Sequence, residues 1–589
     1  MMQLSAQQVF ERALALHRDG KLADAENLYR QILHRQPDHA GALHFMGVMH
    51  HQRGQNQVAL DFMQRSIQLA PNISAAHCNL GLVFQALGRR DEALAGYQRS
   101  ISLGPQNPEA YCNIGSLLTD MGRLDEALTA CQTALGQRPN YSKAYACLGN
   151  VLKDMGRIDE AVEAYRKAHA AEPASASTHS SLVYALHFHP AYDPPAIAAE
   201  HRLWNQQHAL PLLPTNLSYP NSRDPHRRLR VGYVSPNFRE HVIGQNMMPL
   251  FANHDRSAFE ITCYSQVARP DSSTAEFKRH SDHWREIHGM DDAQLAQQIR
   301  DDQIDILVDL TMHLADSRLL AFARKPAPVQ ITFAAYPGST GLSAIDYRLS
   351  DPYLDPPGMD ESIYTERTVR LPDSFWCYDP LSRRDIAVGP LPAVKNGMIT
   401  FGCLNNFAKV NQQVTALWAR VLQKIPGCQM MIICWAGSAR DRVLNVFRAN
   451  DVDPGRIIFT SRLPRRDYLE TYNQIDIGLD TFPYNGHTTS LDSFWMGVPV
   501  VTLVGNTIVS RAGWCQLSNL GLTELAANDA DQFVQIASSL AADVARLETL
   551  RAGLRHRMER SPLMDGVRFA RHIEAAYRQM WNDWWSRQA

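Results

Sequence analysis

A chain of 589 residues is too long for a single hydrophobic core and is expected to divide into three or four domains. With 45% apolar and 20% charged residues it has the make-up of an ordinary globular protein. Its 58 Lys plus Arg are balanced by 60 Asp plus Glu, without the basic excess that a polyanion attracts, which argues against nucleic acid as a partner.

Met1 to Leu16 is amphipathic and carries Glu11 and Arg12 where a secretion signal needs an unbroken apolar stretch. No apolar run reaches the roughly eighteen residues of a membrane span. The ten cysteines are scattered, with no Cys-x-x-Cys pair and no Cys/His cluster at zinc spacing. The expectation is a cytoplasmic protein with reduced cysteines and no membrane partner.

Gly20, Gly54, Gly88, Gly122 and Gly156 recur every 34 residues, as do Ala25, Ala59, Ala93, Ala127 and Ala161, and Pro37, Pro71, Pro105, Pro139 and Pro173. Gly47, Gly81, Gly115 and Gly149 form a fourth series. Period and composition are those of the tetratricopeptide repeat, and five repeats are expected over residues 4–174. Each is a helical hairpin that buries its apolar face only against its neighbours, in a solenoid whose inner groove takes extended peptides. Asn79 and Asn113 fall on the groove-lining helices, where an amide side chain can clamp a peptide backbone. A solvated helix face is the alternative, and Phe45 and Cys147 interrupt the series.

Residues 175–225 read as a helical extension, Ser175 to His208, followed by a Pro-, Asn- and Ser-rich linker, Leu210 to Asp224. Strands and helices then alternate. Leu229 to Val234, Phe259 to Tyr264, Ile304 to Leu310 and Val329 to Ala334 are short apolar strands, with a helix over Asp292 to Asp301. A second set comprises Met398 to Gly402, Met430 to Trp435, Arg456 to Thr460, Ile475 to Leu479 and Pro499 to Leu503, with helices over Gln412 to Lys424 and from Leu517 onward. Two doubly wound parallel sheets, residues 226–390 and 391–589, would hold a ligand facing the carboxyl ends of their strands.

Several polar loops lie at those ends. Tyr484-Asn485-Gly486-His487-Thr488-Thr489-Ser490-Leu491-Asp492 runs from a strand into a helix, where free backbone N–H groups, Thr hydroxyls and an imidazole donor suit phosphate. The plainer alternative is that Thr488 or Thr489 caps its own helix. Lys409, beyond the strand ending at Gly402, could meet a diphosphate as charge develops on it, and Asp492, one turn into the helix, could take a ribose diol. His241, after the first strand, faces the same cleft, with a structural role for a lone His as the alternative, and the Ala335 to Gly341 loop suits a rigid turn over a sugar as well as a simple turn.

Repeats followed by this pair of sheets, with Asn-Gly-His-Thr-Thr-Ser-Leu-Asp, Met-Gly-Val-Pro-Val-Val and the Lys409 loop, resemble the O-linked N-acetylglucosamine transferase family over nearly the whole chain. The resemblance implies a tetratricopeptide solenoid joined to a GT-B fold of two Rossmann-like lobes. It also implies inverting, metal-independent transfer from UDP-N-acetylglucosamine to Ser or Thr of protein acceptors held by the repeats, with no cofactor. It places the catalytic-site His on His241, the diphosphate-binding Lys on Lys409 and the His-Thr-Thr on His487, Thr488 and Thr489. Asp492 becomes the ribose carboxylate, and Leu463, Arg465 and Tyr468 the uracil loop, with Asn406 and Pro337 completing the donor contacts. Tyr468 stands where the animal enzyme has His. Asn237 stands where the family often has Asp, and an amide cannot accept a proton. Ala335, Ala408 and Tyr484 also depart from the animal enzyme around the sugar, and the Phe-Pro-Tyr and Met-Gly-Val-Pro segments are similar to plant SPINDLY-type enzymes that use GDP-fucose. Transfer of another sugar, including the asparagine glucosylation of related bacterial enzymes, and a non-catalytic repeat adaptor are the alternatives.

Overall fold

The computed structural model describes residues 5–222, 224 and 227–587; the expected repeat start at residue 4, parts of the linker and the last two residues lie outside them. The chain forms two compact units, Met1–Val151 and Leu152–Ala589.

The first unit is a run of helical hairpins: Ala6–Arg18 with Leu22–Arg35, Ala40–Gln52 with Asn56–Leu69, Ser74–Ala86 with Arg90–Leu103, and Pro108–Asp120 with Leu124–Gln137. The periodic glycines act in two ways. Gly20, Gly54, Gly88 and Gly122 turn the chain between paired helices at φ of 75°, 74°, 79° and 75°, a region costly for other residues. Gly47 and Gly81 let the paired helices touch, since a Cβ would stand 2.6 Å from Met63 Cγ and 2.5 Å from Tyr97 Cε1 respectively. Met63 and Tyr97 are thereby buried, each contributing about 1.5–3 kcal/mol. The fifth hairpin, Ser142–Asp154 with Ile158–Ala171, spans the division between the units.

In the second unit the expected helical run from Ser175 to His208 is broken. Helix Ala176–Leu186 ends, and Asp193 caps a new helix, Pro194–Trp204, by accepting from Ala196 N–H at 2.9 Å. A π-turn over Asn205–Ala209 follows. Upstream, the fifth-repeat turn seats tightly on the second sheet's domain: a Cβ on Gly156 would lie 2.6 Å from the Val410 carbonyl oxygen. Arg442 donates to the Met155 carbonyl.

Two all-parallel sheets follow. The first contains β1 (Leu229–Ser235), β2 (Phe259–Ser265), β3 (His283–Glu286), β4 (Ile306–Asp309), β5 (Val329–Thr332), β6 (Tyr347–Ser350) and β7 (Arg367–Arg370), in the order β3-β2-β1-β4-β5-β6-β7. The second contains β8 (Thr400–Cys403), β9 (Gln429–Ile433), β10 (Ile457–Thr460), β11 (Ile477–Leu479), β12 (Val500–Leu503) and β13 (Ala526–Ala527), in the order β10-β9-β8-β11-β12-β13. Each repeats the doubly wound arrangement in which strand order reverses beside the first strand.

Strands β3, β6, β7 and β13 escape the apolar-run criterion. β3 is an exposed His-Trp-Arg-Glu edge, and β6 carries Arg348, fully buried against Asp355 at 2.7 Å. The helix expected from Leu517 onward starts at Ala512. The last helix, Gly566–Ser586, follows the second sheet in sequence but packs on the first, so the second lobe does not run to the chain end. Glu574 accepts from Asp255 N–H at 2.7 Å, and Tyr577 and Tyr233 hydroxyls meet at 3.2 Å.

Candidate active site

Strand order reverses between β1 and β4 and between β8 and β11, where the loops at the carboxyl ends diverge and open a crevice. The loops after β8 and β11 carry Lys409 and the Tyr484–Asp492 segment, and the loop after β1 carries His241.

The β11 loop is organised by Asp480, buried at the strand end. It accepts from the N–H groups of Gly486 (2.6 Å) and Thr481 (2.8 Å), from Thr502 Oγ1 (2.7 Å) and from Asn405 Nδ2 (3.3 Å). Gly486 must lack a side chain, because a Cβ would stand 2.3 Å from Ser490 Oγ and 2.9 Å from Asn405 Oδ1. Lys409 Nζ donates to the Asn485 carbonyl at 2.7 Å and lies 4.1 Å from the Tyr484 ring centroid. Burial lowers its ammonium to a pKa of about 7, against the opposing pull of Asp480 and Cys403.

Helix Thr488–Trp495 begins at His487 with no side-chain cap, so neither threonine spends its hydroxyl on its own helix start. Thr488 Oγ1 instead accepts from Asn246 Nδ2 of the first lobe at 2.9 Å. The His487 ring packs 4.8 Å from Tyr484 and 5.1 Å from Trp376. Burial and then Lys409 hold this imidazole neutral, and the Val509 backbone carbonyl engages one ring nitrogen. Nε2 is buried without a partner. With its proton on the nitrogen facing Val509, His487 offers Nε2 as an acceptor, suited to a sugar hydroxyl or amide N–H, whereas a phosphate would call for the other tautomer.

Asp492 is buried, but its oxygens are engaged: Arg465 Nη2 and Nη1 donate at 2.5 and 2.6 Å, and Tyr378 O–H at 2.7 Å. Gln245, with its amide oxygen toward Arg465, accepts from Nη2 and Nε at 3.0 and 3.1 Å. A ribose diol would therefore meet an Arg465–Asp492 pair rather than a lone carboxylate, because a buried charge needs this neutralisation. Leu463, two positions before Arg465, is exposed, as an apolar face for a base requires. The Tyr468 hydroxyl lies 2.9 Å from that of Tyr472, which donates to the Thr489 carbonyl at 3.1 Å, tying the base loop to the helix start.

Asn406 is exposed and caps its own turn, accepting from Ala408 N–H at 3.1 Å; its buried neighbour Asn405 is the one built into the loop scaffold. Pro337 is buried in a loop fixed by Glu366, which accepts from Ser339 Oγ at 2.5 Å and Thr340 N–H at 2.7 Å.

His241 is the N-cap of helix Val242–Asn253, its Nδ1 accepting from Ile243 N–H at 3.2 Å. Burial, then Arg239 and Arg462, lower its pKa to about 4, so it is neutral at physiological pH with its proton on Nε2. Its remaining ring nitrogen, Nε2, is a donor. This arrangement positions an acceptor or sugar oxygen and supplies no lone pair for a general base. In the repeat unit, Asn79 Nδ2 contacts His44 Nε2 at 3.1 Å and Asn113 Nδ2 donates to Cys78 Sγ at 3.4 Å. Each amide nitrogen already reaches back one repeat, leaving its oxygen and second N–H for a peptide.

Sequence reasoning missed Asn246 and Tyr378, gave Arg462 and Asn405 no role beyond membership of the base loop and the Lys409 loop, and saw Asp480 only as the end of a strand. Of these, only Asp480 carries a sequence signal, a carboxylate closing an apolar strand just before a Gly-containing loop.

The family described as Glycosyl transferase family 41 matches residues 162–383 and 391–573, and tetratricopeptide repeat families match 10–72, 74–107, 108–141 and 142–175. The "Probable UDP-N-acetylglucosamine--peptide N-acetylglucosaminyltransferase SPINDLY" of Solanum lycopersicum is 39% identical over 389 residues, covering 65% of this chain and 42% of that protein. The Arabidopsis thaliana protein of the same type named SEC is 28% identical over 366 residues, covering 60% and 37%. This chain thus spans about two fifths of the length of the curated relatives it matches. Among solved structures, a mutant of the Thermobaculum terrenum O-GlcNAc transferase is similar at 36% identity with a TM-score of 0.83, covering 88% of this chain and 98% of that one.

Proposed function

This chain belongs to glycosyl transferase family 41, and we propose that it transfers N-acetylglucosamine from UDP-N-acetylglucosamine to Ser or Thr hydroxyls of proteins, with inversion and without a metal. The observation that carries this reading is the second sheet's switch point. There Lys409 and an uncapped helix start lie beside the Arg465–Asp492 pair, which supports a diphosphate held by the Lys and the helix N–H groups, with a ribose and base next to it.

The acceptor hydroxyl oxygen attacks the anomeric carbon as the bond to the β-phosphate oxygen breaks, and the leaving UDP takes the electron pair. Lys409 and the N–H groups of Thr488 and Thr489 stabilise its growing charge. The His487 lone pair and the His241 N–H orient sugar and acceptor oxygens. Because His241 Nδ1 is occupied, the hydroxyl proton leaves to water or to a phosphate oxygen. Protein acceptors are taken by the repeats, with Asn79 and Asn113 contributing the amide oxygens that their cross-repeat contacts leave free.

The Phe-Pro-Tyr and Met-Gly-Val-Pro segments, similar to those of plant SPINDLY-type enzymes, keep GDP-fucose as the second donor to assay. Intact-mass analysis of candidate acceptor proteins incubated with the purified chain and each nucleotide sugar tests both. A gain of one N-acetylhexosamine with UDP-N-acetylglucosamine is expected; a gain only with GDP-fucose would replace the donor, and no gain with any donor would overturn the proposal.

A further inference from the structure

Three histidines outside the nucleotide site come together where the last repeat meets the helical extension. His169 lies in the last turn of helix Ile158–Ala171, His179 in helix Ala176–Leu186, and His208 in the turn Asn205–Ala209. One nitrogen from each lies within 4.8 Å of the other two. His179 Nδ1 and His208 Nε2 are 3.1 Å apart, and the His169 and His179 ring centroids are 4.1 Å apart. No zinc-like spacing announces the cluster, since the three positions are 10 and 29 residues apart and are assembled by stacked helices.

The proton arrangement makes this more than a packed aromatic cluster. Glu200 Oε1 lies 2.9 Å from His179 Nε2, so a neutral His179 carries its proton there and turns the Nδ1 lone pair toward His208. His169 Nδ1 is buried with no hydrogen-bond partner. A carboxylate behind one imidazole, fixing which nitrogen faces inward, is the outer-shell arrangement of histidine metal centres.

We propose that His169, His179 and His208 bind a divalent transition cation of the Zn2+ class, with Glu200 orienting His179. Neutral imidazoles select Zn2+, Co2+, Ni2+ or Cu2+ over Mg2+ or Ca2+. A tetrahedral ion with metal–nitrogen bonds of about 2.0–2.1 Å holds its ligand nitrogens roughly 3.3 Å apart. The His179–His208 pair already meets that spacing, and the hydrogen bond between them gives way to the ion as the His208 proton moves from Nε2 to Nδ1, freeing the Nε2 lone pair. Half-buried His169 needs only a side-chain adjustment, which also leaves the ion a path from solvent, and water fills the fourth position. The cation would clamp the fifth repeat's second helix to the extension. The extension in turn holds the first lobe through Ser180 Oγ to His313 Nδ1 at 3.0 Å and through Trp204, packed on both His208 and His313.

The test uses the untagged full chain, stripped with chelator and titrated with Co2+, followed by Zn2+ for stoichiometry. Expected are one equivalent per chain, the ligand-field absorption of tetrahedral Co2+, and a Zn2+-dependent rise in Tm that EDTA reverses while UDP affinity is unchanged. His169→Gln and His208→Gln should each weaken Co2+ binding at least a hundredfold. Glu200→Gln should weaken it about tenfold, the effect of losing an outer-shell partner. Absence of the Co2+ band in the wild type, or equal binding in wild type and both His variants, overturns the proposal. Should the variants misfold, the wild type decides alone: Zn2+ must protect His169 and His208 from diethylpyrocarbonate, and unchanged labelling overturns it.

Discussion

UDP binding should be proton-linked through Lys409. In the unliganded site burial holds its ammonium at a pKa of about 7, so roughly half of the chains carry the charge at pH 7 and about 3% at pH 8.5. A bound diphosphate favours the protonated form, returning Lys409 toward its ordinary range, so binding takes up a proton and weakens as pH rises through 7. The ratio of protonated fractions sets a ceiling of about fifteenfold, or ~1.6 kcal/mol, on the affinity lost between pH 7 and pH 8.5. Solvent reaching the partly accessible Lys409 moderates this, so a loss of about threefold or more is the expected reading. Above pH 7 the terminal phosphate is largely ionised and adds little of its own. Calorimetry in two buffers of different ionisation enthalpy reads the uptake directly, about 0.9 proton at pH 8. Lys409→Arg keeps its charge throughout this range and should flatten the profile. A flat wild-type profile, or an equal slope in Lys409→Arg, would refute the reasoning.

His241→Ala should lower the transfer rate while leaving UDP affinity within about twofold, because it removes an orienting donor of the opposite lobe. Neutral above about pH 4, His241 should contribute no inflection to the rate profile between pH 6 and 7, and an inflection lost in the variant would contradict this. A chain starting at Leu152 should bind UDP like the full chain but fail to glycosylate proteins, whereas one starting at Ser175 should be less stable, compared by Tm. Buried Arg551 donates to the carbonyls of Gly389, Tyr472 and Ile475, at 3.0, 3.2 and 2.8 Å, so Arg551→Ala should cost about 3 kcal/mol in urea unfolding. A loss under about 1 kcal/mol would show those carbonyls satisfied otherwise.

The repeats were legible because one glycine per 34 residues answers a backbone requirement and another a contact requirement, and both leave the same mark at the same interval. The apolar strands were legible too, whereas β6 was not, because its buried Arg348 is stabilised by Asp355, and an ion pair leaves no periodic trace. At the site, the loops carrying Lys409 and His487 could be placed from strand ends alone. What their atoms do could not. Whether His487 donates or accepts depends on the Val509 carbonyl, and whether Asp492 stands alone depends on Arg465, partners fixed only by packing. Asn246 reaches Thr488 from 242 positions away, a contact no local pattern encodes.

The seating of the fifth-repeat turn limits how modular this protein is. Gly156 satisfies the repeat's left-handed turn at φ 69° and also leaves the gap that Val410, next to Lys409, occupies. Met155 meanwhile offers its carbonyl to Arg442. An idealised repeat substituted here would keep the glycine and fold as a hairpin. It would still have to reproduce the backbone path that Arg442 and Val410 read. Under the proposed function, engineered arrays meant to bring other proteins to the site are therefore best joined upstream of Leu152, with the fifth hairpin's second helix retained alongside the sheets.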